Sequence, residues 1–177
     1  AVTDTPVIVV PEEWVERHRG VVTVGLDPDA TDDTALRAAM ILARLRRAAL
    51  RVVVAGPASR ADVETRLQRL GGDECDLAVE LAPGSPAAAL EGAAVSSDLV
   101  VVGRHRPRLP EDSRLGNLAR ELLGWLRCPL LLAAPGHVHD RPGDAGASTH
   151  HEEIAMFARV GDRIIVRSAH LGEPVRD

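Results

Sequence analysis

The sequence predicts an α/β fold, a doubly wound parallel five-stranded sheet with helices on both faces, and three observations predict it. From Val21 onward, short apolar runs alternate with helical segments of ten or more residues, the pattern of successive βαβ units. Runs such as Leu99-Val100-Val101-Val102 and Leu130-Leu131-Leu132-Ala133 are apolar at every position, as strands covered on both faces are. Composition agrees. Of 177 residues 45% are hydrophobic but only 2% aromatic, with no tyrosine and one phenylalanine, so the core is Val, Leu, Ala and Ile.

Taken in order, Pro6 to Pro11 reads as a short buried strand bounded by prolines, and Glu12 to Gly20 as a polar connector able to turn helical. Val21 to Asp27 is a strand ended by an acid and the Pro28-Asp29 turn. Thr31, Asp32 or Asp33 can cap a helix running to about Ala49, with Leu36, Met40 and Ala43 on its apolar rows. Leu50 to Ala55 is a strand, and Ala61 to Leu70 a helix stopped by Gly71-Gly72. Cys75 to Leu81 is a strand, and Ser85-Pro86 starts a helix with proline at its first position, over Ala87 to about Val95. The strand 99–102, a loop, a helix over 117–126 and the strand Leu130 to Ala133 complete the pattern. Pro135 to about Glu153 carries glycines, prolines and four histidines without periodicity and reads as linker. Val160 to Val166 reads as turn plus strand, too small a piece to bury a core alone.

Charge and cysteine usage exclude several function classes. The net charge is −5, which argues against general affinity for nucleic acid or an anionic membrane surface. All 21 residues of the Lys+Arg count are arginine. Cys75 and Cys128 show neither metal spacing nor a CxxC motif and are expected to be free thiols. No apolar run approaches the ~20 residues of a membrane span, and no signal peptide is seen, so the expectation is a cytoplasmic protein.

Ligands of doubly wound sheets bind at the carboxyl ends of the strands where the strand order reverses, and Asp27 and Gly103 both stand at such ends. After Gly103 comes an Arg-rich loop, Arg104-His105-Arg106-Pro107-Arg108, and then Gly116-Asn117 at a helix start. A strand ending in glycine, a loop and a helix N-terminus gather free N–H groups and the positive end of a helix dipole in one place, which suits phosphate. The arginines either clamp phosphate or form a solvated loop, the second being the better reading. Asp27 either faces a ribose or base or makes a capping turn with Asp29. His105 has no partner carboxylate or nucleophile beside it and is not assigned acid–base work. His137, His139, His150 and His151 read as linker residues rather than a metal site, because adjacent His150 and His151 do not face one another. Cys128 reads as a buried packing thiol, and Trp14 and Trp125 as packing anchors.

The stretch Gly103 to Cys128 resembles the universal stress protein family, whose members carry a glycine, two residues, a second glycine, nine residues, and then Gly-Ser or Gly-Thr at a helix start. The spacing holds here through Gly103, position 106 and Gly116. Val24-Gly25-Leu26-Asp27, Asp98 to Gly103 and the Cys128-Pro129 exit into the last strand resemble the family as well, so the likeness covers about Val21 to Ala134. It implies an adenine-nucleotide alpha-hydrolase-like sheet of strand order 3-2-1-4-5. It also implies ATP as ligand, with the loop amides and the Ser/Thr hydroxyl on the phosphates and Asp27 facing the adenosine. Two positions depart from the pattern. Arg106 stands at the second glycine, where the backbone approaches phosphate closely, and Asn117 replaces the hydroxyl while keeping a group able to cap the helix.

Two further likenesses are partial. Val7 to Val10 resembles the last strand of a preceding domain of the same type, and Val160-Gly161-Asp162-Arg163-Ile164 with His170-Leu171-Gly172-Glu173-Pro174 resembles the opening of a small SH3-like domain. The resulting division is 1–11 last strand of a preceding domain, 12–20 connector, 21–134 universal stress domain, 135–157 flexible linker and 158–177 truncated SH3-like start. In family dimers the last strands pair antiparallel. The resemblance therefore implies that Val7–Val10 lies as an extra antiparallel edge strand on Leu130–Ala133, an intrachain pseudo-dimer, or that Leu130–Ala133 pairs in a homodimer. The first functional reading is a non-catalytic stress-response domain acting by ligand binding or dimerisation, with cofactor-binding candidates Asp27, Gly103, Arg106, Gly116 and Asn117. The alternative is an ATP-binding stress sensor. An ATP hydrolase comes third, since no general base and no Walker-type lysine are present.

Overall fold

A computed structural model describes residues 6–12, 14–72, 75–103, 116–125 and 127–134, together with the strands 153–160 and 163–170. The elements are β1 (Val7–Val10), β2 (Val21–Leu26), α1 (Thr34–Arg46), β3 (Ala49–Ala55), α2 (Arg60–Arg69) and β4 (Leu77–Ala82). They continue with α3 (Pro86–Ala94), β5 (Leu99–Gly103), α4 (Gly116–Trp125), β6 (Leu130–Ala133), β7 (Glu153–Val160) and β8 (Arg163–His170).

One sheet runs through all the strands in the order β4-β3-β2-β5-β6-β1-β7-β8. Its first five members are parallel, so the strands counted from Val21 stand in the order 3-2-1-4-5. The period-two alternation of these strands divides the core between two faces. Val52 and Val54 of β3 join Val22, Val24 and Val101 under Leu36, Met40, Val63 and Leu67 of α1 and α2. Val53 joins Val100, Val102, Leu130 and Leu132 on the other face, under Leu90 of α3 and Ala119 and Leu122 of α4. Strands with both faces covered explain why their runs are apolar throughout.

β1 lies antiparallel on β6, with Val7 opposite Leu132 and Val9 opposite Leu130. It is not the edge of the sheet, however. β7 pairs parallel on its other side, Val7 opposite Ala155 and Val10 opposite Ala158, and β8 pairs antiparallel with β7. β7 begins at Glu153, inside the segment 135–157 read as linker. Residues 135–152 of that reading, and 161–162 and 171–177 of the SH3-like one, lie outside the described residues.

Three local expectations are corrected. α1 ends at Arg46 rather than near Ala49, because Arg47 takes the left-handed conformation (φ 52°) and closes the helix. The N–H of Ala48 then reaches Ala43 O at 2.8 Å, and that of Ala49 reaches Gly20 O at 2.8 Å, which starts β3 beside β2. The connector from Glu12 to Gly20 forms no helix among its described residues. The N–H groups of Arg19 and Gly20 are taken instead by the two oxygens of Asp98, each at 2.7 Å, and Gly20 adopts φ +70°. Trp125 is not an anchor, being 67% exposed. At 3.6 residues per turn it lies ~120° round the helix from buried Ala119. Trp14 is half-buried. Cys75 and Cys128 are both free, Cys128 buried as expected. Among the described residues no helix is long and apolar enough to cross a membrane.

Candidate functional site

β2 and β5 are neighbours in the sheet, yet β2 leads through α1 to one side and β5 through α4 to the other. The strand order therefore reverses between them, and their connections part to leave a crevice at the carboxyl ends. A cavity of about 520 Å³ occupies that place. Its walls come from the end of β2 and the loop after it (Gly25 to Pro28, Ala30, Asp32), the start of α1 (Thr34 to Leu36), and β5 at Val102 and Gly103. Pro86 and Leu90 of α3, the start of α4 (Asn117 to Ala119), Val53 and Ala55 of β3 and Ala133 of β6 complete it.

Three of the five candidate residues meet here. Asp27, the first residue after β2, is exposed and lines the cavity. Its Oδ1 accepts the N–H of Asp29 at 3.0 Å, so the turn with Asp29 forms at a residue that also lines the cavity. Gly103 ends β5 with no positive φ. A Cβ placed on it would meet only Ala35 Cβ, at 3.7 Å, an ordinary contact. Neither backbone conformation nor described packing demands glycine there; what its missing side chain leaves is room in the cavity wall. Asn117 lines the cavity and is exposed. α4 starts at Gly116, one residue before the expected boundary, so Asn117 sits inside the first turn instead of capping it. Gly116 opens the helix; Arg106, with Arg104, His105 and Arg108, lies outside the described residues.

The ionisable side chains among the described lining residues are Asp27 and Asp32, both acidic. Asp32 Oδ1 accepts the N–H of Thr34 at 2.8 Å and also its hydroxyl, which fixes the start of α1. Asp33 stands at the N-cap position but makes no side-chain cap. Its carboxylate goes to Arg66 of α2 at 2.5 Å. Gly25 has a different reason for being glycine, since a Cβ would stand 2.8 Å from Leu90 Cδ1, where α3 packs onto β2.

Arg66, Pro86 and Leu90 were not anticipated near the site. Ser85-Pro86 is recognisable as a helix start, and Ser85 Oγ accepts the N–H of Ala88 at 3.2 Å as a cap should. Its nearness to the cavity follows only from α3 crossing back over the sheet. Arg66 carries no signal in the sequence, because its partners lie 33 to 39 residues away.

No protein-family model matches the chain, and no curated protein matches it significantly. Solved structures do. A universal stress protein from Archaeoglobus fulgidus DSM 4304 is 18% identical with a TM-score of 0.60, covering 74% of this chain, which spans 50% of that one. A universal stress protein in complex with cAMP is 23% identical with a TM-score of 0.51, over 63% of this chain and 94% of its own. A protein of unknown function from Pseudomonas aeruginosa PAO1 is 20% identical with a TM-score of 0.53, over 75% of this chain and 53% of its own. The chain has the fold of the universal stress proteins.

Proposed function

We propose that the chain is a stress-response protein of the universal stress type that acts by binding a nucleotide without catalysis, and that its ligand is an adenine nucleotide of low charge, a nucleoside monophosphate or its cyclic form, rather than ATP. The cavity at the strand reversal carries the reading. Its volume of about 520 Å³ lies in the range of small-molecule sites, and Gly103 and Asn117 stand at the start of the α4 side. The first turn of α4 offers N–H groups and a positive dipole end to one phosphate. A triphosphate adds charge that the carboxylates of Asp27 and Asp32 oppose. Arg106 and Asn117 stand where the family pattern has a glycine and a hydroxyl for ATP. A solved protein of this fold is in complex with cAMP, which supports a monophosphate ligand.

Isothermal titration with AMP, cAMP and ATP with Mg²⁺ tests the proposal. The monophosphates are expected to bind more tightly than ATP, and Arg106→Gly with Asn117→Ser to reverse the order. A sub-micromolar dissociation constant for ATP would establish the ATP-sensor reading instead, and steady ATP turnover the hydrolase.

A second reading rests on β1. Because Val7 to Val9 cover the free edge of β6, the chain carries an intrachain counterpart of the antiparallel contact between family last strands. Uncovering an apolar edge invites pairing with another copy. Removing residues 1–11 is therefore expected to convert a monomer into a concentration-dependent dimer or larger assembly in sedimentation velocity; a monomer at all concentrations would count against it.

A further inference from the structure

The Asp27–Asp33 loop is both the wall of the cavity and the junction between β2 and α1, and one side chain from a third element ties its two ends together. Arg66 of α2 donates through Nε to Asp33 Oδ1 at 2.5 Å, through Nη1 to Asp27 O at 3.5 Å and through Nη2 to Asp32 O at 3.3 Å. Asp27 is the first residue of the loop and Asp33 the last before α1, so the planar fork of one guanidinium spans it. The side chain of Arg66 is only 13% exposed and that of Asp33 24% exposed, a setting in which a charge-assisted pair is stronger than on an open surface. α2 is itself anchored by Val63 and Leu67, which are 4% and 0% exposed on either side of Arg66 in sequence. Helical side chains lean toward the helix N-terminus, and α2 begins at the carboxyl end of the sheet, so Arg66 reaches back up to the loop. Arg66 itself does not line the cavity.

Asp33 shows that this arrangement is not incidental to helix capping. An aspartate at an N-cap ordinarily accepts an N–H of the first helical turn, and Asp33 makes no such bond. Its carboxylate is turned to Arg66, and the start of α1 is held instead by Asp32 through Thr34. The loop is thus fixed from α2.

We propose that Arg66 is a positioning residue for the cavity: its guanidinium holds the Asp27–Asp33 loop in the ligand-competent form and so controls affinity from an element that does not touch the ligand. The proposal rests on the reading of the cavity as a nucleotide site. Without the clamp the loop samples other arrangements, and apparent affinity falls in proportion to the competent fraction, so a fall to ~10% occupancy of that form raises Kd about tenfold.

Two measurements on the full chain separate this from the functional reading. The first is amide hydrogen exchange of the ligand-free protein, wild type against Arg66→Met, which keeps the apolar stem. The N–H of Ala30, bonded to Asp27 O at 3.2 Å, and that of Thr34, bonded to Asp32, are expected to lose protection, while β2 and β3 keep theirs. The second is titration with AMP and cAMP. Arg66→Met is expected to weaken both about tenfold, Asp33→Asn to do the same, and the double variant to cost no more than either single one. Unchanged loop exchange in Arg66→Met overturns the clamp, as does a loss of protection spread over the whole sheet, which makes Arg66 a general stabiliser. If the wild type binds neither nucleotide while Arg66→Met frees the loop amides alone, the loop-holding role stands and the nucleotide reading of the cavity fails.

Discussion

At the amino ends of β2 and β5 the polar groups are closed against one another; at the carboxyl ends of the same two strands they border an open cavity. The amino end centres on Asp98, 7% exposed, whose carboxylate accepts N–H groups from Arg19 and Gly20 at 2.7 Å and from Val21 at 3.4 Å. Beside it the Ser97 hydroxyl donates to Ala93 O at 2.8 Å, so Thr23 is the donor in its 2.6 Å bond to Ser97. Cys128, 4% exposed, is pushed from an ordinary 9.0 up to about 11 by burial. At the carboxyl end Asp27 is exposed, Gly103 leaves space where a side chain could stand, and Asn117 lies at the surface. Each end therefore has its own measure: stability at the sealed end and, on the proposed nucleotide reading, binding at the open one.

The largest expected effect sharpens the sealed side. Asp98→Ala leaves two strongly bonded N–H groups and a third without their acceptor, and is expected to cost about 2–4 kcal/mol in urea unfolding. Nucleotide affinity of the folded fraction should not change. A weakened affinity would break the separation of the two ends.

Gly103→Ala is the converse. The added methyl meets only Ala35 Cβ at 3.7 Å, so stability should stay within about 0.5 kcal/mol of the parent. It also narrows the cavity wall, and monophosphate affinity should drop several-fold in the same titration. Loss of stability with binding intact would assign Gly103 to packing.

The third effect is a pH dependence at the sealed end. Below pH 9 the Cys128 thiol is neutral in both folded and unfolded chains. Between about 9 and 11 the unfolded chain ionises first and binds fewer protons, so stability falls as pH rises, and above about 11 the fall levels off. Thermal unfolding across pH 8 to 11 should show this slope in the parent and lose it in Cys128→Ala. An identical slope in both would place the titrating group elsewhere.

Much of the fold was legible because it is local. Periodicity located the strands and helices from Val21 to Ala133, with boundary errors of one to three residues at the ends of α1 and α4. The contact of β1 with β6 was expected from resemblance, and the antiparallel register Val7 to Leu132 agrees with it. β7 was not legible from Glu153, because its parallel partner is β1, at the opposite end of the chain, and no alternation within 135–157 announces a pairing so distant. The site divides in the same way. Asp27, Gly103 and Asn117 follow from strand ends and helix starts, whereas Arg66 reads as one more basic residue on a polar helix face.

By itself the sequence determined the alternation of elements, the all-apolar strands and the carboxyl-end position of the candidate residues. Each of these depends on spacing along the chain and on the burial that spacing allows. The tertiary structure alone decided that β1 is interior, that the connector surrenders its N–H groups to Asp98, and that Trp125 faces outward. It also decided that Asp33 gives up its helix cap to Arg66. For the strand, the connector and Asp33, a strand edge or a polar group takes the partner that packing brings within reach, and that partner lies tens of residues away or more, beyond what any local pattern encodes.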